Sequence, residues 1–333
     1  MILAGDIGGT KCNLALFEEP GKGFQPILEK TLPSQEFPSL QAVATRFLED
    51  RDVESLRKDI GFACFGVAGP VVRNRCKTPN LPWIVTVAEL EEALGMKVAL
   101  INDLEAMGYG VLTLHENHIF TLNQGNQVPS GHIALIAAGT GLGEALLIRT
   151  STDALPVSSE GGHGDFAPRN QLEIELLEYC LKIWKHVSYE RVLSGPGLYQ
   201  IFQFLMDSGY GQVDSKLLLK IEQSRDASAT ISEAALNETC PLCEKTLDAF
   251  VSIYGAEAGN LALKAKTTGG VYLGGGIAPK ILKKITDGTF LEAFFEKGRM
   301  EPLMRSIPVH VVLEPKTALR GAAYLARELR TRN

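Results

Sequence analysis

The chain has 333 residues, 45% hydrophobic and 22% charged, with a formal net charge of −6. That length exceeds one ordinary core and predicts two domains, and the acidic balance argues against nucleic acid or an anionic membrane as the main partner. It leaves a phosphate ligand open, because glycine turns bind phosphate through backbone N–H groups and need little side-chain charge.

Taken in chain order, residues 2–5 and 13–17 read as two apolar strands of a hairpin around Asp6-Ile7-Gly8-Gly9-Thr10. Leu40, Val43, Ala44, Phe47 and Leu48 form a helical stripe, and residues 60–66 an apolar strand. Thr86 and Glu89 make a capping-box pattern, with Gly95 as the helix stop. Residues 98–101 then form a parallel strand reached by crossover. Its carboxyl end carries Asn102-Asp103, where open α/β sheets place ligands. The second part begins near residue 111. Residues 134–138 and 144–148 repeat the hairpin around Gly139-Thr140-Gly141-Leu142-Gly143. Residues 172–184 are apolar on several sides and are expected to be a buried helix; residues 197–265 are mostly helical by pattern. Residues 269–277 form a strand ending in Gly274-Gly275-Gly276, 309–313 another, and 318–329 a closing helix that needs an apolar surface to cover. The repeated β-turn-β unit predicts two similar α/β domains facing each other across a cleft, the first of residues 1–110 with 314–333, the second of 111–313.

No segment approaches 18 uninterrupted apolar residues, so no transmembrane helix is expected. The start, MILAGDIGG, has no basic n-region and no signal-peptide pattern. The six cysteines are scattered, which suits free thiols in a reducing cytoplasm. Cys240-Pro-Leu-Cys243 reads as two ordinary cysteines near a helix start rather than a metal pair.

The chemistry suggested is phosphoryl transfer from a nucleotide to a small polar acceptor. In the first turn Gly8 and Gly9 expose backbone N–H groups and Thr10 adds a hydroxyl. Asp6 suits support of Mg²⁺ through water. The turn is neither a dinucleotide fingerprint nor a Walker A loop. Gly139, Thr140 and Gly141 form the second cradle. Asp103 is the candidate general base for a sugar or alcohol hydroxyl; its other reading is the N-cap of a helix starting at Leu104. Asn102 can donate to and accept from neighbouring hydroxyls. Glu160 and His163, on a glycine-rich loop, suit a ring of vicinal hydroxyls, and Glu190 is a further carboxylate, or a surface partner of Arg191. Gly274, Gly275 and Gly276 suit close approach of a base and ribose, or crowding of helix on sheet.

At these residues the chain resembles the bacterial glucokinase family, within the sugar kinase, hsp70 and actin fold group. Asp6–Thr10 resembles its first phosphate motif, Gly139–Gly143 its second, and Gly274–Gly276 its adenosine motif. Asn102-Asp103, Glu160-Gly161-Gly162-His163 and Glu190 in Glu-Arg-Val-Leu-Ser-Gly match its glucose-binding pattern in order. The resemblance implies two actin-like/ribonuclease H-like domains and a cytoplasmic homodimer using ATP and Mg²⁺. It implies that Asp103 takes the proton of the glucose 6-hydroxyl while Asn102, Glu160, His163 and Glu190 hold the other hydroxyls. Gly164-Asp165-Phe166-Ala167-Pro168 follows His163, so the cysteine-rich zinc motif of the related repressor, open-reading-frame and kinase family is absent. The start close to the first strand is expected to leave no room for a DNA-binding helix-turn-helix. A kinase for fructose or mannose, a polyphosphate-using kinase, or a non-catalytic sugar or nucleotide sensor on the same fold are the alternatives.

Overall fold

The computed structural model describes residues 1–18, 25–151 and 153–332. Its strands are β1 Ile2–Ile7, β2 Lys11–Phe17, β3 Pro26–Pro33, β4 Phe62–Val67, β5 Val71–Val72, β6 Arg75–Lys77, β7 Ile84–Thr86, β8 Lys97–Asn102, β9 Ile119–Asn123, β10 Ile133–Ala138, β11 Leu142–Arg149, β12 Ala154–Ser159, β13 Gly270–Gly274 and β14 Val309–Val312. They form a five-stranded sheet in the order β3-β2-β1-β4-β8, a six-stranded sheet in the order β12-β11-β10-β13-β14-β9, and a small ribbon of β5, β6 and β7. The chain divides into two compact units, residues 1–116 with 155–158 and 314–333, and residues 117–154 with 159–313.

The two large sheets repeat one plan. A first strand pairs antiparallel with its hairpin neighbour, β1 with β2 and β10 with β11. On its other side it pairs parallel with a strand that comes much later, β4 or β13, and each of these pairs parallel with a further strand, β8 or β14. This is the internal echo expected from the two glycine turns, and it gives the two α/β domains of an actin-like fold.

In the first unit the period of two along each strand sends alternate side chains to opposite faces. Leu3, Ile7, Leu14 and Phe65 pack with Leu40, Phe47, Leu90 and Leu94 from the helices Leu40–Leu48 and Val87–Leu94. Ile2, Ala4, Ala15 and Cys64 face Leu319, Ala322, Ala323 and Ala326 of the closing helix Thr317–Arg332. Thr86 caps the helix as expected, its hydroxyl accepting from Glu89 N, but the box is not reciprocal: the Glu89 carboxylate accepts from the Thr86 hydroxyl rather than from the Thr86 N–H. Gly95 ends the helix with φ of 70°. In the second unit the 25-residue helix Pro241–Ala265 buries Phe250, Tyr254 and Ala258 against the sheet. Cys240 and Cys243 sit buried and unbridged at its start.

Two expectations need correction. The helix of residues 172–184 is Gln171–Leu181, and it is amphipathic rather than buried: Glu173, Leu176 and Cys180 are covered, while Ile174 is 41% and Leu181 50% exposed. The sequence pattern also does not mark β3, β9, β12 or the short strands β5, β6 and β7. β3 lies between prolines at the sheet edge with mostly half-covered side chains, and edge strands carry little apolar alternation. Among the described residues no helix is long and apolar enough to cross a membrane.

Candidate active site

In the first unit the carboxyl ends of β1, β4 and β8 lie side by side, Asp6 opposite Gly66 and Gly66 opposite Ile101. That register brings Asp6 towards Asn102 and Asp103. The Asp6 carboxylate accepts from Asn13 Nδ2 at 3.2 Å, and Asn13 is itself held by Thr31. Burial raises the pKa of Asp6, with Asn13 and the charge of Lys11 opposing. The turn after Asp6 is fixed from below by Ser34, which is fully buried: its hydroxyl donates to Gly8 O at 2.7 Å and its N–H to Thr10 O at 3.1 Å. Thr10 points outward and is exposed.

Asn102, not Asp103, caps the helix that follows. The helix is Asp103–Val111; Asn102 Oδ1 accepts from Leu104 N at 2.9 Å, and Glu105 reaches back to Asn102 N. Asn102 Nδ2 donates to Gly69 O at 3.0 Å. The Asn102 side chain also accepts from the N3 backbone in a full capping box, and its amide bonds the Asp103 carboxylate. Asp103 stands in the first turn, where the helix dipole favours a carboxylate. It accepts from Leu104 N at 2.9 Å. Burial and the charge of Asp6 nonetheless push its pKa up to about 6, against the lowering effect of that bond. A half-buried carboxylate that takes a proton near neutrality is suited to general-base work.

In the second unit the structure brings Gly139–Gly141, Glu160, His163, Glu190 and Gly274–Gly276 to one end of the sheet, where β10 and β13 finish. Glu190 Oε2 accepts from Leu142 N at 2.9 Å, and a Cβ at Gly141 would come within 2.5 Å of the same oxygen. Glu190 is therefore locked to the second turn. Arg191 lies over the Trp184 ring at 4.7 Å instead of pairing Glu190. His163 lies between two carboxylates, Nδ1 3.9 Å from Glu190 and Nε2 3.8 Å from Glu160. His163 and Glu160 are exposed and free to meet a polyhydroxyl ligand.

The third glycine run packs on the second turn. Gly275 has φ of 78°, and a Cβ there would be 2.3 Å from Ala138 O. Ile277 N donates to Ala138 O at 3.2 Å, and Gly195 N to Gly139 O at 2.8 Å. Gly139 and Gly276 differ from these. A Cβ on either would meet nothing within 4 Å, so packing does not demand glycine there. Their bare backbone faces open space that a phosphate or ribose would fill. Beside Gly276 a cavity of about 260 Å³ is lined by Leu198, Ile277 and Ile281 with Asp226, Ser228 and Asn237 at its rim. Among the described residues no group of three or more His, Cys, Asp or Glu side chains converges to hold a metal ion.

Sequence reasoning missed Ser34, 26 residues from the turn it anchors. It also missed the buried Glu144 on β11.

Residues 3–329 match the sequence profile of the family described as Glucokinase. A glucokinase of Trichormus variabilis is 42% identical over 346 residues, covering 99% of both chains. One of Nostoc punctiforme is 42% identical over 345 residues with the same coverage. The crystal structure of a glucokinase from an Antarctic psychrotroph superimposes with a TM-score of 0.86 at 32% identity, covering 98% of each chain.

Proposed function

The chain belongs to the glucokinase family, and we propose that it transfers the γ-phosphoryl group of ATP to the 6-hydroxyl of glucose, giving glucose 6-phosphate and ADP. The observation that carries this reading is Asp103: a carboxylate held by a helix N-terminus yet pushed up to about 6 by burial and by Asp6. A sugar hydroxyl is a poor nucleophile until its proton has somewhere to go, and a base tuned near neutrality gives it that.

Each residue then has one task. Asp103 Oδ2, the oxygen not engaged by Leu104 N, takes the proton of the 6-hydroxyl. The Asn102 amide, beside Asp103, meets a neighbouring hydroxyl. Glu160 and Glu190 accept from two further hydroxyls, and His163, steadied between them, meets a third. Backbone N–H groups of Gly8, Gly9, Gly139, Thr140 and Gly141, with the Thr10 and Thr140 hydroxyls, cradle the phosphates. Gly274, Gly275 and Gly276 pass close under the ribose, and the cavity lined by Leu198, Ile277 and Ile281 takes the adenine ring. Bound Mg²⁺ would neutralise charge on the phosphates. The donor set fits it in a supporting role, since Asp6 and Asp103 form a close pair of carboxylates whose mutual repulsion a cation relieves.

The test is a coupled assay with glucose, fructose, mannose and N-acetylated hexoses as acceptors, and ATP or polyphosphate as donor. ATP-dependent formation of glucose 6-phosphate, with kcat/KM for glucose above that for the other hexoses, is expected. Preference for another hexose or for polyphosphate would move the assignment within the family. Failure to phosphorylate any hexose with either donor would overturn it in favour of a sugar or nucleotide sensor.

A further inference from the structure

Beneath the turn that carries Glu160 and His163 lies a second acidic pair. Glu144, on β11, is 1% exposed, and no donor among the described residues reaches either of its carboxylate oxygens. A Cβ at Gly161 would come within 2.1 Å of Glu144 Oε2, so the carboxylate presses directly on the backbone of the Glu160–His163 turn. Ser159 ties the same turn to the strand, accepting from Gly161 N and donating to Glu144 O.

On its other side Glu144 faces Glu257, also 1% exposed, on the long helix Pro241–Ala265. Glu257 Oε2 accepts from Asn260 Nδ2 at 2.9 Å and Oε1 from Lys264 Nζ at 3.4 Å. Asn260 Nδ2 also donates to the Tyr189 hydroxyl at 3.1 Å, and Lys297 Nζ donates to Asn260 Oδ1 at 2.7 Å. Tyr189 immediately precedes Glu190, and its N–H donates to Gly164 O at 3.0 Å. The acidic pair thus lies under both turns that present Glu160, His163 and Glu190.

Two carboxylates can bond to each other only if one keeps a proton. Ionising both would bury two like charges; Lys264, itself 60% exposed, and Lys297 act on Glu257, while no donor among the described residues reaches Glu144. Repulsion of that kind in a low dielectric is costly. We infer that Glu144 and Glu257 share one proton, and that this shared proton positions the sugar-binding turns, so that its loss weakens hexose binding without touching the chemical step. The inference rests on the sugar-kinase reading above. Burial and the Glu257 charge raise the pKa of Glu144, with Lys264 opposing, which agrees with a retained proton. Glu160, His163 and Glu190 on the turns themselves are unchanged in variants of the pair, so the pair is read by difference.

The experiment is titration calorimetry of glucose, together with kcat, from pH 6 to 9 on the native protein, E144Q and E257Q. Either amide can donate to the remaining carboxylate at any pH. The native Kd should rise about tenfold across the range, the change that displacing a pKa by one on binding produces. In both variants the rise should disappear while kcat keeps its native pH profile. Circular dichroism checks that each variant is folded, and either one folded is sufficient. A native protein that phosphorylates glucose but shows the same pH dependence of Kd as a folded variant overturns the inference and leaves the functional reading standing. A native protein that binds no hexose at any pH overturns both.

Discussion

Replacing Asp103 by Asn separates its two readings, because they predict opposite changes in stability. The amide keeps an oxygen that can accept from Leu104 N, so the 2.9 Å bond survives. What disappears is a negative charge that burial and Asp6 both oppose. Raising the carboxyl from 3.8 to about 6 corresponds to about 3 kcal/mol of disfavoured ionisation above neutrality. The sign follows from proton binding: the folded state holds the proton at a pH where the unfolded state has lost it, so stability falls as pH rises between the two values. At pH 8 the Asn variant is therefore expected to match or exceed the native melting temperature, with about 3 kcal/mol as the upper limit of the gain. Its kcat should fall at least about 10²-fold, since the amide cannot take the hydroxyl proton. Glucose binding, measured by calorimetry, should persist in part. The assay is a coupled kinase measurement at saturating glucose and ATP beside a thermal melt at pH 8. Near-native kcat with a lowered melting temperature would refute the base assignment and leave Asp103 as a helix-terminal carboxylate.

For the native enzyme, kcat/KM should fall about tenfold for each pH unit below about 6, because Asp103 must be unprotonated to act; a limb that persists in the Asn variant's residual activity would assign the titration to another group. Gly275→Ala should unfold or strongly destabilise the second unit, because the residue combines φ of 78° with a 2.3 Å approach to Ala138 O. Gly276→Ala, with open space around the new methyl, should keep the native melting temperature and raise KM for ATP several-fold; equal behaviour of the two in melts and kinetics would contradict this division of labour. Ser34→Ala should raise KM for ATP more than KM for glucose, since it frees Gly8 O in the first phosphate turn, and it should cost about 1 kcal/mol for a lost buried hydrogen bond.

Local signals made much of this fold legible. Gly-Gly-Thr and Gly-Thr-Gly between apolar runs demand tight turns, and an apolar run on each side of a short turn can only pair with itself. The N-cap at Thr86 and the stop at Gly95 are written in nearby residues for the same reason. The helix Gln171–Leu181 was misjudged because counting apolar residues says nothing of direction; Ile174 and Leu181 lie away from the face that carries Leu176 and Cys180. Asp103 illustrates a subtler limit. Its neighbour Asn102 takes the cap, and only the register of β1, β4 and β8 shows why Asp103 carries an unbalanced charge beside Asp6.

The residues hardest to read are those that act on the candidate site from underneath. Ser34 belongs to a different strand end from the turn it anchors, and Glu257 lies more than a hundred residues from Glu144. A serine after an edge strand and a glutamate inside a helix are ordinary in sequence, and nothing local marks them as buried. Their significance comes from closure of the sheet-and-helix layers, which removes water and turns an ordinary polar group into one that must be satisfied. By contrast, Glu160, His163 and Glu190 stand on glycine-rich or turn segments, where exposure to a ligand is the natural reading. Legibility therefore follows distance from solvent: groups that meet ligand are bracketed by turn residues, while the groups that position them are defined only by what the folded chain packs against them.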